Sequence, residues 1–450
     1  MRSCCKAARA RVKDLEALVG RLVARVQILE RQLGEKSGPP SEPPASGADP
    51  AAPAPKPRGR PEGHPGTSWS MPAVEPTVVC LPIKECPDCG GHLSKWRDWQ
   101  DHVVVDIPEP TPATVTNFRH ERGYCARCRK TVRSPRAPDE PPRGHLGVRL
   151  LGLAAELKSG FGLPFTKVSS LLKRLWDVEI PRSTLPSLVQ RVGEWLKPAR
   201  DELLAVVKAA PVKHADETSW PVSGKNGWAW AFATDEVAVF LMEPTRSGKV
   251  PQAVLGKDVG SVLVRDEYSG YAKLPHEVQT CWAHLLREAK IAAALKPSPS
   301  AIAVRTRLKQ IFGEAEIVAQ ARETLTPQPL EREIERIDRM LIDVCRWRTR
   351  SDEMRHVQKR VARSRRELLT FLRRPGVDPT NNRGERVIRP LVLVRKVSGG
   401  SRSWVGARVH GTNASCIQSL KHFGVSFIDL VRRHVTLPER RTQLASVLPA

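Results

Sequence analysis

Two aspartates follow apolar, strand-like segments and have the chemistry to bind divalent metal ions. Asp216 comes after PVKHA, and Asp266 comes after SVLVR. A carboxylate at a strand end is held by a rigid sheet, and two neighbouring strands would bring both carboxylates close enough to share such ions. The adjacent Glu217 and Glu267 should point to the opposite face, because side chains alternate along a strand. Either aspartate alone is better explained as a turn or cap residue, so a metal site needs a third acid.

A third acid, Glu385, lies among arginines in NNRGERVIRP, residues 381–390. Two interpretations are open from these residues. Glu385 and Arg389, four residues apart on a helix, would form a surface ion pair that contributes about a few tenths of a kcal/mol. Alternatively, Glu385 is a metal-binding acid within a surface that holds phosphates.

The composition predicts a polyanionic partner. The 450 residues include 73 Lys and Arg against 48 Asp and Glu, for a formal net charge of +25. Nucleic acid is the first expectation and an anionic membrane surface is the second. No apolar run reaches the roughly 18–20 residues of a membrane span, and the charged N-terminus does not resemble a signal peptide. We therefore expect a soluble intracellular protein of about two to four domains, and its ten cysteines are too sparse for a disulfide scaffold.

Residues 1–34 carry a heptad repeat. Apolar residues recur every seven positions in two interleaved series, Val12, Val19, Val26 and Leu33, and Leu15, Leu22 and Leu29. Valine at most a positions with leucine at the d positions favours a parallel two-stranded coiled coil, which predicts a homodimer or higher oligomer. The alternative is a single amphipathic helix docked on the body of the protein.

Residues 35–78 are rich in Pro, Gly, Ser and Ala, and we expect a flexible linker. The linker contains KPRGRPEG, in which Arg58 and Arg60 flank Gly59. Such a narrow basic segment fits an A·T minor groove, and RGRP is similar to an AT-hook. A generic charged linker explains the segment equally well.

Four cysteines in residues 79–136 have the pattern of a structural zinc site. Cys86 and Cys89 form one C-x-x-C pair, and Cys125 and Cys128 form a second, with 35 residues between the pairs. Two such turns brought together give a closed tetrahedral Cys4 site for Zn²⁺. The alternative is four surface thiols without metal. The alternating segments HVVVDIP and ATVTNFRHERGYC predict strands that span the gap.

Residues 137–207 change to a helical pattern. FTKVSSLLKRLWDVEIPRSTLPSLVQRVGEWL predicts two helices, with Ser183 or Thr184 as the N-cap of the second. The pair suits a DNA-binding helix-turn-helix and ordinary helix packing equally well. After Pro211 the pattern becomes strand-like, and three charged, periodic segments between Asp266 and Glu385 predict helices.

Three blocks of this sequence resemble a known family. HADETSW, then RDEYSGY followed by CWAHLLRE, and then NNRGERVIRPLVLVRK are similar, in that order, to the acidic blocks of DDE transposases of bacterial insertion sequences. The resemblance is closest to the large transposase of insertion sequence family sixty-six and covers most of the chain. It implies an α/β multidomain fold with an RNase H-like catalytic core over residues 208–398 and a helical insertion at about 292–378. The coiled coil, the Cys4 module and the helical DNA-binding region precede this core, and a helical tail follows at 399–450.

The resemblance also implies a site and a reaction. Asp216, Asp266 and Glu385 would hold two Mg²⁺ or Mn²⁺ ions about 4 Å apart for DNA strand cleavage and strand transfer, without a covalent intermediate. The residues that would contact DNA phosphates are Arg383, Arg386, Arg389, Arg395 and Lys396. The expected partners are double-stranded DNA, at element ends and target, and accessory transposition proteins. The expected location is the bacterial cytoplasm, at the nucleoid.

Two positions near the acids need separate interpretation. Thr380 stands where the family usually has an aspartate before the paired asparagines, and Asp378 lies two residues earlier. Cys281 and His284 form a C-x-x-H pattern, for which a buried thiol and a helix-start histidine are favoured over a second metal site. Two alternative functions share these motifs. One is a catalytically inactive DNA-binding protein or regulator derived from a transposase, and the other is a metal-dependent nuclease that never joins strands.

Overall fold

The computed structural model describes residues 85–86, 88–92, 109–137, 140–256, 260–322 and 326–436. The predicted coiled coil at 1–34 and the linker with Arg58 and Arg60 lie outside these ranges. The chain divides into two compact units, Met1–Glu109 and Pro110–Ala450.

In the first unit, the described residues form a turn around Cys86 and Cys89. Glu85 and His92 make an antiparallel bridge. The backbone N–H of Cys86 donates to the carbonyl of Gly91 at 3.0 Å. These contacts close the first C-x-x-C sequence into a tight loop.

A two-stranded hairpin carries the second C-x-x-C sequence. β1 (Arg122–Cys125) pairs antiparallel with β2 (Lys130–Arg133). The prediction of a strand throughout ATVTNFRHERGYC is wrong for residues 113–121, which have no regular structure. These residues are mostly exposed, and Val115 is 95% exposed. Their apolar alternation therefore has no core against which to pack.

In the described part of the chain, four helices precede the central sheet, namely α1 (Val148–Ser159), α2 (Phe165–Trp176), α3 (Leu185–Trp195) and α4 (Lys197–Ala209). The predicted pair of helices corresponds to α2 and α3, and α2 buries Val168 and Leu172 on one face. Thr184 is the N-cap of α3, but its side chain makes no capping hydrogen bond. The four helices pack into one core with one face of the sheet.

A five-stranded mixed sheet organises the second unit. Its strands are β3 (Val212–Ser219), β4 (Trp228–Ala233), β5 (Ala238–Glu243), β6 (Val262–Arg265) and β7 (Glu277–Thr280), in the order β5-β4-β3-β6-β7. β3, β4 and β5 are antiparallel neighbours, whereas β6 is parallel to both β3 and β7. The short helix α5 (Lys249–Leu255) lies between β5 and β6 in the chain. The predicted mixed α/β class is therefore confirmed.

Helices follow β7 in two groups. The first group is α6 (Trp282–Leu295), α7 (Pro299–Ala321), α8 (Pro327–Arg346), α9 (Asp352–Leu368) and α10 (Thr370–Arg373), and it buries a core that meets the sheet at Val262 and Val264. The second group is α11 (Asn382–Ser398), α12 (Trp404–His422) and α13 (Phe427–Thr436). α11 packs on the sheet, where Ile388 and Leu391 share a core with Ala231 of β4. None of the helices in the described ranges has the length and apolar character that a membrane span requires.

Candidate active site

The register of the sheet brings the two aspartates side by side. In the parallel pair β3 and β6, Val212 lies opposite Val262 and His214 lies opposite Val264. Continuing this register by two residues places Asp216 beside Asp266, on strands about 4.8 Å apart. β3 continues to Ser219 through its pairing with β4, so Asp216 lies within a strand rather than at its end. Asp266 follows the last residue of β6, as expected.

The three acids interact electrostatically. Burial, chiefly, and the negative charges of Glu217, Asp266 and Glu385 together raise the pKa of Asp216 to about 7. The backbone N–H of Glu217 opposes this effect by donating to Asp216 Oδ1 at 2.8 Å. Within the described ranges, no three His, Cys, Asp or Glu side chains are grouped closely enough to hold a metal ion. Asp216, Asp266 and Glu385 are therefore neighbours that do not form a closed ligand set.

Asn381 fastens the start of α11 to the sheet. Its side-chain Nδ2 donates to the carbonyl of Ala215 at 2.8 Å, and its Oδ1 lies 3.2 Å from His214 Nδ1. Its backbone N–H donates to Cys281 Sγ at 3.1 Å. Asn381 is 1% exposed, and these contacts hold α11 against β3 one residue before Asp216.

Gly384 has no side chain, and the side-chain amide of Asn381 occupies the space beside it. A Cβ atom at position 384 would lie 2.7 Å from Asn381 Oδ1 and 2.8 Å from its Nδ2. Any larger residue would therefore displace the buried amide. Glu385, the next residue, donates its backbone N–H to the Asn381 carbonyl at 3.0 Å. In the NNRGER block, Asn381 thus binds the sheet, Gly384 makes room for the Asn381 side chain, and both residues position Glu385.

The side chain of Glu385 points from α11 toward α6 and approaches side chains of α6. Its Oε1 lies 3.6 Å from His284 Nδ1 and 3.9 Å from a guanidinium nitrogen of Arg287. No ion pair joins Glu385 to Arg389 in the described structure, so the interpretation as a surface pair on one helix is wrong. Both Glu385 Oε1 and His284 Nδ1 are buried atoms without a hydrogen-bond partner among the described residues.

The sequence favoured a helix-start role for His284 and did not predict its position beside Glu385. Cys281 is a buried thiol at the N-cap of α6, as expected. The spacing of CWAH on a helix places His284 in the first turn of α6. Only the packing of α6 against α11 shows that this turn lies beside Glu385.

Glu217 lies on the opposite side of β3 from Asp216. In the register with β4, Asp216 is opposite Ala231 and Glu217 is opposite Trp230. Tyr271 donates its hydroxyl to Glu217 Oε2 at 2.6 Å. Arg246 donates its Nε to Glu217 Oε1 at 3.0 Å. The side chain of Glu217 is 1% exposed, so these two donors satisfy a buried carboxylate beneath the site.

Glu267 joins the loop after β6 to the helical insertion. Its Oε1 accepts from the hydroxyl of Ser364 at 2.8 Å, and its Oε2 accepts from Arg363 at 3.0 Å and from Arg360. All three donors lie on α9. The residue after Asp266 is therefore a structural contact that fixes α9 beside the candidate site.

A family model described as the IS66 family of transposases matches residues 143–409, more than half of the chain. The chain belongs to the IS66 transposase family. It is also similar to three proteins of Sinorhizobium fredii (strain NBRC 101917 / NGR234) that are described only as uncharacterized. The protein y4hP is 26% identical to this chain over 73% of the chain and 65% of its own length. The protein y4qI is 27% identical over 78% of the chain and 70% of its own length, and y4jD is 24% identical over 81% of the chain and 78% of its own length. The chain thus spans slightly less than two thirds of the length of y4hP.

Two of the predicted DNA-contacting arginines of this IS66-family chain are bound to the sheet. Arg383 Nε donates to the carbonyl of Thr234 at 2.5 Å. Arg395 donates to the hydroxyls of Thr218 and Ser219, each at 2.8 Å. The other three predicted contacts of α11, Arg386, Arg389 and Lys396, are exposed. Arg386 and Arg389 lie within about one turn of Glu385, and Lys396 lies about three turns further along the helix.

The two C-x-x-C sequences of the IS66-family chain each lower the pKa of their first cysteine. Hydrogen bonds from the backbone of Asp88 and Cys89 lower the pKa of Cys86. The backbone of Cys128 has the same effect on Cys125. A lower pKa favours the thiolate, which is the form that binds zinc. The Cys4 zinc site stays a prediction.

Proposed function

We propose that this protein is the DNA transposase of an insertion sequence. It binds the element ends, cleaves DNA there and transfers the strand to a target. Asp216, Asp266 and Glu385 are the catalytic acids in this proposal. The observation that carries it is the register of β3 and β6, which places Asp216 beside Asp266, together with the effect of Glu385 on the pKa of Asp216.

The donor atoms fit a divalent metal ion. All three side chains offer carboxylate oxygens, which are the ligands that Mg²⁺ and Mn²⁺ prefer. Glu385 Oε1 is buried and accepts no hydrogen bond within the described residues, so it has an oxygen available for a cation. When bound, Mg²⁺ or Mn²⁺ would activate the attacking oxygen and stabilise the leaving oxygen of an in-line displacement at phosphorus.

The protonation of Asp216 fits this role. Its pKa of about 7 means that the carboxyl is about half protonated near neutral pH. A divalent cation favours the ionised carboxylate, so binding of the ion would release the proton. A bound cation would therefore offset both the burial of the Asp216 carboxylate and its repulsion by the neighbouring acids.

The chain's own residues orient the reacting groups. Asn381 and Gly384 fix Glu385 relative to β3. The exposed Arg386 and Arg389 on α11 attract DNA phosphates toward the acids. These contacts position DNA, and the acids supply the chemistry.

The sheet supports the proposal of an RNase H-like core. The family resemblance implies two acids on neighbouring parallel strands and a third on a later helix. Asp216 lies on β3, Asp266 directly follows β6, and Glu385 lies on α11. The helices α7 to α10 lie between β7 and α11 and correspond to the proposed insertion. Dimerisation through residues 1–34 and a requirement for accessory proteins stay predictions.

The test is cleavage of element-end DNA by the full chain with Mg²⁺ or Mn²⁺. Asp216→Asn, Asp266→Asn and Glu385→Gln should each abolish cleavage and leave DNA binding intact. Glu316→Gln, an equivalent change at an exposed position of α7, should cleave normally. Undiminished cleavage by one of the three variants would remove that residue from the proposed site.

A second assay separates the alternatives. A DNA end with a free 3′-hydroxyl should be joined to target DNA by the wild-type protein. Cleavage without joining would indicate a nuclease. Metal-independent binding without cleavage by the wild type would indicate a regulator that lacks catalytic activity.

A further inference from the structure

The helical insertion contains an open, basic cleft of about 980 Å³. It lies where α7 begins, α8 ends and α9 begins. The side chains that bear on its chemistry are Ser298, Ser300, Trp347, Arg348, Arg350 and Lys359. No acidic side chain lines the cleft within the described ranges. Its chemistry is therefore that of cations, hydroxyls and one indole.

Three of the cations are not neutralised. Arg348, Arg350 and Lys359 are exposed, and none of them has a carboxylate within 4 Å among the residues that the structure describes. A fourth cation, Arg355, is paired with Asp352 and donates to the carbonyl of Thr349 at 2.9 Å. The uncompensated charge of the cleft favours an anionic ligand.

The turn that carries these side chains is firmly held. Gln358 of α9 donates its Nε2 to the carbonyls of Val344 at 2.7 Å and Trp347 at 2.8 Å. Ser351 caps α9 by accepting from the backbone N–H of Met354 at 3.1 Å. Both anchoring side chains are buried. The backbone of the turn is thus fixed, whereas its cationic side chains project from it.

The indole of Trp347 lies at the surface of this turn. It is 40% exposed, whereas Trp220, Trp230 and Trp282 are buried in the cores. A partly exposed indole on a rigid turn presents aromatic surface that a ligand can reach. An indole with adjacent cations is the combination that stacks a nucleobase and binds the flanking phosphates.

We propose that this cleft binds single-stranded DNA. A base stacks on Trp347, and Arg348, Arg350 and Lys359 bind the phosphates on either side. The ligand is single-stranded because a base in a duplex is already stacked and paired, so its face is covered. The proposal rests on the proposed function, since a strand opened at the cut supplies the unpaired bases.

Helix α9 connects the cleft to the candidate active site. Lys359 lines the cleft, and the next residue, Arg360, binds Glu267. Glu267 directly follows Asp266. Neighbouring residues on a helix point about 100° apart, so α9 presents one side to the cleft and another to the loop that carries the second acid. A strand held in the cleft would contact the same helix that binds Glu267, the residue after Asp266.

The test is the affinity of the full chain for a labelled oligothymidylate of about 12 nucleotides, measured by fluorescence anisotropy in EDTA so that no cleavage occurs. Trp347→Ala should weaken binding about tenfold, whereas Trp347→Phe should retain most of the affinity. Arg348→Ala, Arg350→Ala and Lys359→Ala should each reduce the dependence of the logarithm of affinity on the logarithm of salt concentration by about 0.7. The same variants should bind duplex DNA within about twofold of wild type.

Matched controls lie outside the cleft on two of the helices that border it. Ile317→Ala removes an exposed apolar side chain of α7, and Arg366→Ala removes an exposed cation of α9. Both should leave the affinity for oligothymidylate unchanged. Wild-type affinity in Trp347→Ala would overturn the proposal. An equal loss of duplex and single-strand binding would also overturn it, because it would show a general phosphate-binding surface.

The experiments can refute the DNA-binding cleft and the proposed function independently of each other. Asp216→Asn should bind oligothymidylate as tightly as wild type, because Asp216 does not line the cleft. Retained cleavage in Asp216→Asn would refute the catalytic assignment without affecting the binding result. Unchanged binding in Trp347→Ala would refute the cleft and leave the catalytic assignment in place.

Discussion

Replacing Asp216 with asparagine should stabilise the metal-free protein at alkaline pH while abolishing its activity. Burial, chiefly, and three neighbouring carboxylates raise the pKa of Asp216 from 3.8 to about 7. Because the pKa in the folded state is above that of the unfolded chain, the stability that protonation of Asp216 contributes is fully present below pH 3.8. It is lost as the pH rises to about 7. Asparagine does not ionise, so the variant escapes this loss.

The size of the effect follows from the pKa difference. At 1.36 kcal/mol per pKa unit, the whole difference corresponds to at most about 4 kcal/mol of unfolding free energy. Part of this unfolding free energy is already lost at pH 5, and the partial exposure of Asp216 reduces the part that is left. We therefore expect the stability difference between Asp216→Asn and wild type to grow by about 2 kcal/mol between pH 5 and pH 8.

The assay is urea-induced unfolding in EDTA at several pH values, repeated with Mg²⁺. In EDTA, the advantage of Asp216→Asn should grow with pH. With Mg²⁺, the wild type should gain stability that the variant does not, since a ligand that binds only the folded state stabilises it. An advantage that is the same at pH 5 and pH 8 would refute the reasoning, as would a loss of stability in Asp216→Asn at pH 8 in EDTA. Glu316→Gln should follow the wild type at every pH.

Four further predictions concern the site and the N-terminal modules. Gly384→Ala places a methyl group 2.7 Å from the buried Asn381 oxygen. The substitution should lower the unfolding free energy by about 1–3 kcal/mol and slow cleavage, and an unchanged melting temperature would contradict this prediction. His284→Ala should slow cleavage but not DNA binding, because its ring lies 3.6 Å from the third acid, and a wild-type rate would show that the contact is incidental. Metal analysis should find one zinc ion per chain in the wild type and none in Cys86→Ser. A metal-free wild type would refute the zinc site. Sedimentation should find dimers that become monomers on deletion of residues 1–34, and dimers in the truncated chain would refute the coiled coil.

Each of the three candidate acids lies in a short sequence block whose local structure could be predicted. HADET lies within β3, RDEYSG begins at the last residue of β6, and NNRGER begins α11. Strand and helix types followed from local periodicity, which is a property of neighbouring residues. The strand expected at residues 113–121 did not form, because alternation predicts a strand only where a partner and a core are present.

The partners of individual side chains were not predictable. Arg383 looked like a phosphate contact, but it reaches Thr234, a residue 149 positions away. His284 looked like a helix-start residue, and only the packing of α6 against α11 places it beside Glu385. Such contacts depend on how distant elements pack, and a single sequence contains no direct record of that packing. The cleft around Trp347 has the same origin, since three helix ends form it.

The most direct test of the catalytic acids is a change of metal preference in cleavage of element-end DNA. A thiolate binds Mn²⁺ better than Mg²⁺, because Mg²⁺ strongly prefers oxygen ligands. We predict that Asp216→Cys is inactive with Mg²⁺ and regains part of its cleavage activity with Mn²⁺, whereas Asp216→Asn is inactive with both. Wild-type cleavage by Asp216→Cys or Asp216→Asn in Mg²⁺ would contradict the account, because a residue that binds the catalytic ion cannot be replaced in this way.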